Sequence, residues 1–146
     1  MGRAVFLDGL VTGVKVSVRT GPCEDKVQII VLSDDSEKKE PWVMASVMRE
    51  WEAHEALRAA ALFVEAEQAF RRRPRITWSK TDRSLGLRVF TRPQDDMVHV
   101  RLRSGIENHM AVRELSGTAV DELIAALQQA VEAVRRQTEE SYDDED

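Results

Sequence analysis

The sequence predicts an α+β protein in which antiparallel meander sheets are packed by one long central helix and one C-terminal helix. Two patterns support this prediction: runs in which apolar and polar residues alternate, as in half-buried strands, and two long segments with apolar residues at helical spacing. The chain of 146 residues is 42% apolar and 32% charged, an ordinary balance for a globular protein. We therefore expect a single domain over residues 1–136, with halves at 1–73 and 74–136.

Strands dominate the beginning of the chain. Valines at every second position of residues 14–18 alternate with polar residues, which is typical of a strand with one buried face. Val27–Leu32 is almost continuously apolar and rich in β-branched residues, so it is expected to form a central strand. Ala4–Leu7 is expected to form a short edge strand, and the charged segment Asp34–Glu40 a loop.

A long helix is predicted from Trp42 to about Arg72. Apolar residues recur there at helical spacing, alanine is frequent, and no glycine or proline interrupts the segment. The helix should end before Pro74, because a proline disfavours helical geometry in the residue that precedes it. The first part, Trp42–Met48, also fits a strand, but its methionine and alanine content favours a helix.

The C-terminal half is predicted to be a four-strand meander followed by a helix. Short polar connections separate four alternating runs, at residues 76–81, 85–90, 98–103 and 110–113. The final helix carries its apolar residues on one stripe: Val120, Leu123, Ile124, Leu127, Val131 and Val134. The order of strands, helix, strands and helix is compatible with a loose duplication, although no residue-level repeat accompanies it.

Charge is distributed unevenly along the chain. The net charge is −5, but residues 139–146 contain six of the 26 acidic residues and no base, which leaves 21 bases against 20 acids elsewhere. Residues 71–113 contain eleven bases and only four acids. The sequence therefore predicts a basic middle and, over residues 137–146, a disordered acidic tail.

The outward face of the C-terminal meander is the candidate binding site. If the valine and leucine positions face the helices, the opposite face carries seven residues of interest: Arg88, Phe90, Arg92, His99, Arg101, Arg103 and Arg113. Counting through the first connecting loop places Arg88 opposite Arg101. The same count places His99 beside Phe90. Counting through the next loop places His99 opposite Arg113 on the last strand.

These residue types suit a nucleic-acid strand. Like charges directly opposed across a sheet are destabilising, so an anion on this face would stabilise it. Arginine forks bind phosphates, and Phe90 and His99 supply flat rings on which bases can stack. The sequence thus predicts a non-enzymatic binding protein whose ligand is single-stranded DNA or RNA.

The four-strand-then-helix order of residues 75–136 resembles the architecture of the PUR and PC4-type single-strand binders. In those families the curved sheet carries nucleic acid and the helices mediate dimers. The likeness is one of element order. No family motif is matched residue by residue, and no functional residue is carried over.

No catalytic residues, metal site or cofactor-binding motif can be identified. The three histidines lack metal-ligand spacing, Cys23 has no companion cysteine, and no glycine-rich phosphate loop occurs. No apolar run approaches the roughly 18 residues that a membrane span needs. With one cysteine and no secretory signal pattern, we expect a cytoplasmic protein without membrane association.

Two other interpretations stay open. The outer face of any half-exposed sheet needs polar residues, and glutamates of the long helix or of a partner could neutralise the arginines. The chain could instead be a protein-interaction or assembly factor that uses its helices as an interface. The broad apolar surface of the long helix around Ala59–Val64 predicts a homodimer, and the acidic tail could dock a protein partner.

Overall fold

A computed structural model of the chain describes residues 3–19, 25–33, 43–105 and 109–143. Within them, four strands, a helix, four further strands and a second helix follow one another, which confirms the predicted α+β class. The elements are β1 (Arg3–Leu7), β2 (Val14–Arg19), β3 (Lys26–Leu32), β4 (Ser46–Trp51), α1 (Ala53–Phe70), β5 (Trp78–Asp82), β6 (Leu87–Thr91), β7 (Val98–Arg103), β8 (Met110–Leu115) and α2 (Gly117–Asp143).

The strands form two antiparallel sheets, each a meander of consecutive strands. Sheet A has the order β1-β2-β3-β4 and sheet B the order β5-β6-β7-β8. The strands predicted at residues 14–18 and 27–32 and the edge strand at residues 4–7 are confirmed. The predicted loop Asp34–Glu40 lies outside the described residues.

Residues 46–51 form a strand, which corrects the prediction of a helix from Trp42. β4 pairs with β3, and this pairing places Val47 and Trp51 in the buried row of sheet A while Met48 is exposed. A separation of four residues satisfies both the helical and the strand period, so the sequence pattern does not distinguish them. Residues 46–51 form a strand because they pair with β3, and α1 begins at Ala53. Trp42 itself lies outside the described residues.

Helix α2 continues to Asp143, seven residues beyond the predicted end of the domain at Arg136. The first seven residues of the predicted acidic tail, 137–143, thus fall within the bounds of α2, and the disorder of the tail stays a prediction. Residues 144–146 lie outside the described part of the chain. Within that part, neither helix has both the length and the apolar character of a membrane span.

Each helix packs mainly on the sheet of the other half. α1 follows sheet A in the chain but lies against β5, β6 and β7, whereas α2 lies against β1, β2 and β3. The two helices also pack against each other. Buried residues of both sheets and both helices form one hydrophobic cluster. Because of this exchange, each half buries its apolar surface only in the presence of the other.

The strand registers show a residue-level duplication of the two halves. The segment 13–19 (GVKVSVR) takes the place in sheet A that 86–92 (GLRVFTR) takes in sheet B, and Arg49 is equivalent to Arg113. The offset between equivalent residues is 73 in the second strand of each half, 71 in the third and 64 in the fourth. This changing offset conceals the repeat in the sequence.

Each of the two equivalent arginines donates hydrogen bonds to backbone carbonyl oxygens of the opposite half. The Arg49 guanidinium donates hydrogen bonds to the carbonyl oxygens of Ser84 at 3.0 Å and of Arg103 at 3.3 Å. Reciprocally, Nε of Arg113 donates to the carbonyl oxygen of Thr12 at 3.1 Å. Hydrogen bonds that involve a charged donor are stronger than neutral ones, so these contacts help to hold the halves in register.

A glycine with positive φ accompanies each arginine. Gly86 (φ 68°) lies beside Arg49, and Gly13 (φ 77°) lies beside Arg113. A Cβ atom at either position would collide with the neighbouring guanidinium group. Glycine is therefore required both by the turn and by the close approach of the arginine.

Replacing Gly86 by alanine should lower the free energy of unfolding by about 1–3 kcal/mol, because an L-residue is strained at this φ. The new Cβ would also lie 2.8 Å from the carbonyl oxygen of Arg103. Gly105→Ala is the matched control, since a Cβ there would meet only the flexible end of Arg49, at 3.2 Å. Urea denaturation measures both variants, and equal losses of stability would contradict the prediction.

Candidate nucleic-acid interface

The outer face of sheet B lies opposite the fully buried row of Leu87, Val89, Val98 and Val100. It brings together six of the seven predicted site residues: Arg88, Phe90, Arg92, His99, Arg101 and Arg103. The pairing of β6 with β7 sets Arg88 opposite Arg101 and Phe90 opposite His99, so the predicted register of this strand pair is confirmed.

Arg113 does not belong to this face, which corrects the predicted register of the last strand pair. β8 is shifted by one residue, so that Glu114 pairs with His99 and Arg113 pairs with the buried Val100. A shift of one residue moves every side chain to the other face of a sheet. The register depends on the geometry of the hairpin connection, which the polar sequence between the two strands does not reveal.

An aromatic pair lies at the centre of the face. The rings of Phe90 and His99 stack with their centroids 4.7 Å apart and their planes 12° apart. Guanidinium carbons of Arg88 and Arg92 lie 5.1 Å and 5.2 Å from the Phe90 centroid, within the range of cation–π attraction. Phe90 is half-buried, so its ring holds the arginines in place and is only partly open to a ligand.

His99 differs from the open stacking ring that was predicted, because it is only 3% exposed. Its Nε2 lies 2.9 Å from an Asp95 carboxylate oxygen, and its Nδ1 lies 3.7 Å from Glu114. The ring is thus enclosed by Phe90 and by two carboxylates. Its role is to support Phe90 from within the sheet surface.

Four arginines line a groove at the end of the face that adjoins the β5–β6 turn. The groove has a volume of about 430 Å³, and its lining includes Arg83, Arg88, Arg101 and Arg103. The sequence prediction missed Arg83, which follows β5 in the turn and is exposed. The alternation of residues along a strand could not identify Arg83, because Arg83 lies in a turn. It comes close to the other arginines only when that turn folds over the end of the sheet.

The one acidic residue in the groove lining, Asp82, is engaged by Arg58 of α1. Nε of Arg58 donates to Oδ2 of Asp82 at 2.7 Å, and a terminal nitrogen donates to Oδ1 at 3.2 Å. The Ser84 hydroxyl and the Leu85 amide also donate to Oδ1. The hydrogen bond from Arg58 is the main reason why the pKa of Asp82 lies below its ordinary value. This carboxylate therefore fixes the turn, and its charge is balanced by Arg58.

Two other arginines of the basic segment 71–113 form ion pairs with carboxylates. Arg75 pairs with Asp96, and Arg71 lies 3.4 Å from Asp121. By contrast, four arginines on or beside the outer face have no carboxylate of the described residues within 4.0 Å: Arg83, Arg88, Arg92 and Arg103. The face therefore retains a positive charge that can attract an anion.

The outer face of sheet A provides an internal comparison. Its second strand keeps the two basic positions, as Lys15 and Arg19, but the remaining chemistry differs. In place of Phe90, His99, Arg101 and Arg103, sheet A has, in the same order, Ser17, Gln28, Ile30 and Leu32. Leu32 is 40% exposed. Ser17 and Gln28, by contrast, are buried. The outer face of a sheet in this fold thus does not require arginine at these positions, and sheet B alone has it there.

One group of side chains in the described residues has ligand atoms close enough to share a metal ion: Glu52, His54 and Glu55. It was not predicted. Glu52 and Glu55 form the capping box of α1, in which the Glu52 amide donates to the Glu55 carboxylate at 3.1 Å. Helix capping accounts for this cluster.

Asp82→Asn should be less stable than the wild type at neutral pH, with a difference that shrinks in acid. Because the pKa of Asp82 is lowered on folding, its stabilising effect is present above the usual aspartate pKa, about 4, and is lost as the pH falls through the lowered value. Urea denaturation at pH 7 and pH 3 measures this. The exposed pair of Arg71 and Asp121 offers a control, Asp121→Asn, with a small effect at both pH values.

The chain was also compared with known proteins, and no protein-family model, curated protein or solved structure matches it. Its function must therefore be inferred from its own residues. The arginine-rich outer face of sheet B is the surface on which that inference rests.

Proposed function

We propose that the chain binds single-stranded DNA or RNA through the outer face of sheet B. The observation that carries the proposal is the gathering of Arg83, Arg88, Arg92 and Arg103 on or beside one open face, where no carboxylate of the described residues lies within 4.0 Å of them. Like charges gathered on one face destabilise a sheet until a counter-charge lies on them. A phosphate backbone supplies that counter-charge and releases its own counterions in doing so.

The residue types favour nucleic acid over a generic anion. Guanidinium groups bind phosphates through paired hydrogen bonds, and their planes also stack on bases. Arg88 and Arg92 are held against Phe90, Arg88 half-buried and Arg92 exposed, so their guanidinium groups have defined positions on the face. An open sheet that carries both phosphate donors and flat groups is the arrangement that grips a single strand. A binding role of this kind needs no catalytic residue.

The architecture is compatible with this role in both halves. The four-strand-then-helix order, which resembles that of the PUR and PC4-type binders, occurs over residues 3–70 as well as over residues 78–143. Only sheet B carries the arginine-rich chemistry. We therefore assign binding to sheet B and expect no more than a minor contribution from Lys15 and Arg19 of sheet A.

The alternative function, a helix-mediated homodimer or assembly factor, has lost its original basis. The apolar residues of α1 that suggested an interface, including Ala59, Leu62 and Phe63, are buried within one chain. Homodimerisation stays a prediction that light scattering can test. Docking through the acidic end of α2 likewise stays a prediction, and a pull-down that survives nuclease treatment would favour it over strand binding.

Fluorescence anisotropy with a labelled oligonucleotide should show binding that weakens steeply with salt, more strongly after removal of the acidic residues 139–146. Arg88→Ala with Arg101→Ala should lower the affinity and reduce the salt slope by about one per lost phosphate contact. The equivalent change in sheet A, Lys15→Ala with Arg19→Ala, is the matched control and should have little effect. Absence of binding at low salt by the shortened chain would refute the proposal.

Arg113→Ala provides a second comparison, because Arg113 lies on the buried side of sheet B and bonds to Thr12. It should lower thermal stability through the lost charged hydrogen bond, while the salt slope of oligonucleotide binding stays that of the wild type. A reduced slope would place Arg113 at the ligand and contradict the register described above.

Phe90→Ala should weaken oligonucleotide binding with little change in the salt slope, because it removes the ring that orders Arg88 and Arg92 without removing a charge. Phe90→Leu keeps an apolar side chain at this position and should weaken binding by a similar factor if the aromatic face is what matters. Full affinity in both variants would show that the ring has no part in binding.

A further inference from the structure

We infer that the arginine-lined groove of sheet B receives the phosphorylated end of the nucleic-acid strand. The ligand group would be a phosphomonoester, as opposed to an internal phosphodiester. The inference rests on the proposed function and adds which part of the strand reaches the groove.

The crowding of cations at one corner is the first observation. Arg83, Arg88, Arg101 and Arg103 all line the groove, whereas Arg92 follows the opposite end of β6. Internal phosphates carry one charge each and are spread along a strand. A phosphomonoester concentrates about −1.5 to −2 charges and three acceptor oxygens in one group. Several guanidinium groups around one space match the concentrated charge better.

The shape of the groove is the second observation. Its volume of about 430 Å³ lies within the range of sites that enclose one small ligand. Asp82, Arg83 and Gly86, from the β5–β6 turn, line it on one side. A space of this kind accommodates a terminal nucleotide, while the remainder of the strand continues over Phe90 towards Arg92.

The walls of the groove are held by residues behind it. Arg49 donates both to the Ser84 carbonyl in the turn and to the Arg103 carbonyl on β7, so it fixes the distance between the two sides. Arg58 holds Asp82. Arg88 Nε lies 3.3 Å from the Ser79 hydroxyl, which orients one guanidinium group. Such a prearranged site binds its ligand with little loss of side-chain freedom.

Competition binding with three unlabelled oligonucleotides of one sequence tests the inference. One has a 5′-phosphate, one a 3′-phosphate and one hydroxyl groups at both ends, and each displaces an internally labelled strand from the full chain. We expect one phosphorylated form to compete at least tenfold better than the hydroxyl form. Equal competition by all three would overturn the inference and leave the proposed function intact, whereas absence of binding by any strand would overturn both.

A free nucleotide is the other source of the same phosphomonoester chemistry. Adenosine 5′-monophosphate and inorganic phosphate are therefore added as competitors at matched ionic strength. They should displace the labelled strand only at concentrations far above those of the phosphorylated oligonucleotide. If either displaces it at a comparable concentration, the groove is a site for a small phosphate compound, and the assignment to a strand end is wrong.

Two single variants locate the effect. Arg83→Ala should reduce the preference for the phosphorylated end towards one, because Arg83 lines the groove and not the path over Phe90. Its side chain is exposed, so the fold should tolerate the change. Arg92→Ala should weaken all three oligonucleotides by the same factor and keep the preference. A preference that persists in Arg83→Ala would contradict the inference.

Discussion

The burial of both sheets and both helices in one shared hydrophobic core is the constraint on which this fold depends, and a reciprocal arginine contact between the halves helps to keep its register. Arg49 and Arg113 occupy equivalent positions and both donate to backbone carbonyl oxygens across the molecule. Two glycines with positive φ make room for them. These contacts help to hold sheets A and B in register, and the exchanged helices contribute to the one continuous core.

Much of this architecture could be predicted from alternation and helical spacing, and the failures have specific causes. β4 was mistaken for helix because Val47 and Trp51 satisfy both periods, and only pairing with β3 distinguishes them. The place of Arg113 depends on a hairpin register that the sequence does not display. The duplication escaped notice because loops of unequal length change the offset between equivalent residues along the chain.

The candidate site shows the same division. Counting through the connection between β6 and β7 gave the correct cross-strand arrangement of Arg88 and Phe90, whereas the same counting through the equally long connection between β7 and β8 was wrong by one residue. The burial of His99 and the participation of Arg83 were not predictable, since they depend on how a loop and a turn fold over the sheet. Comparison with sheet A then separates what the fold requires from what is added. One backbone supports two outer faces, and only one of them is rich in arginine.

The exchange of helices also makes the two halves depend on each other. The described halves are joined only by the segment between α1 and β5, residues 71–77. A single half would leave its helix and its sheet uncovered, and a second copy of itself would cover both. The intact chain is thus the smallest unit that covers both helices and both sheets.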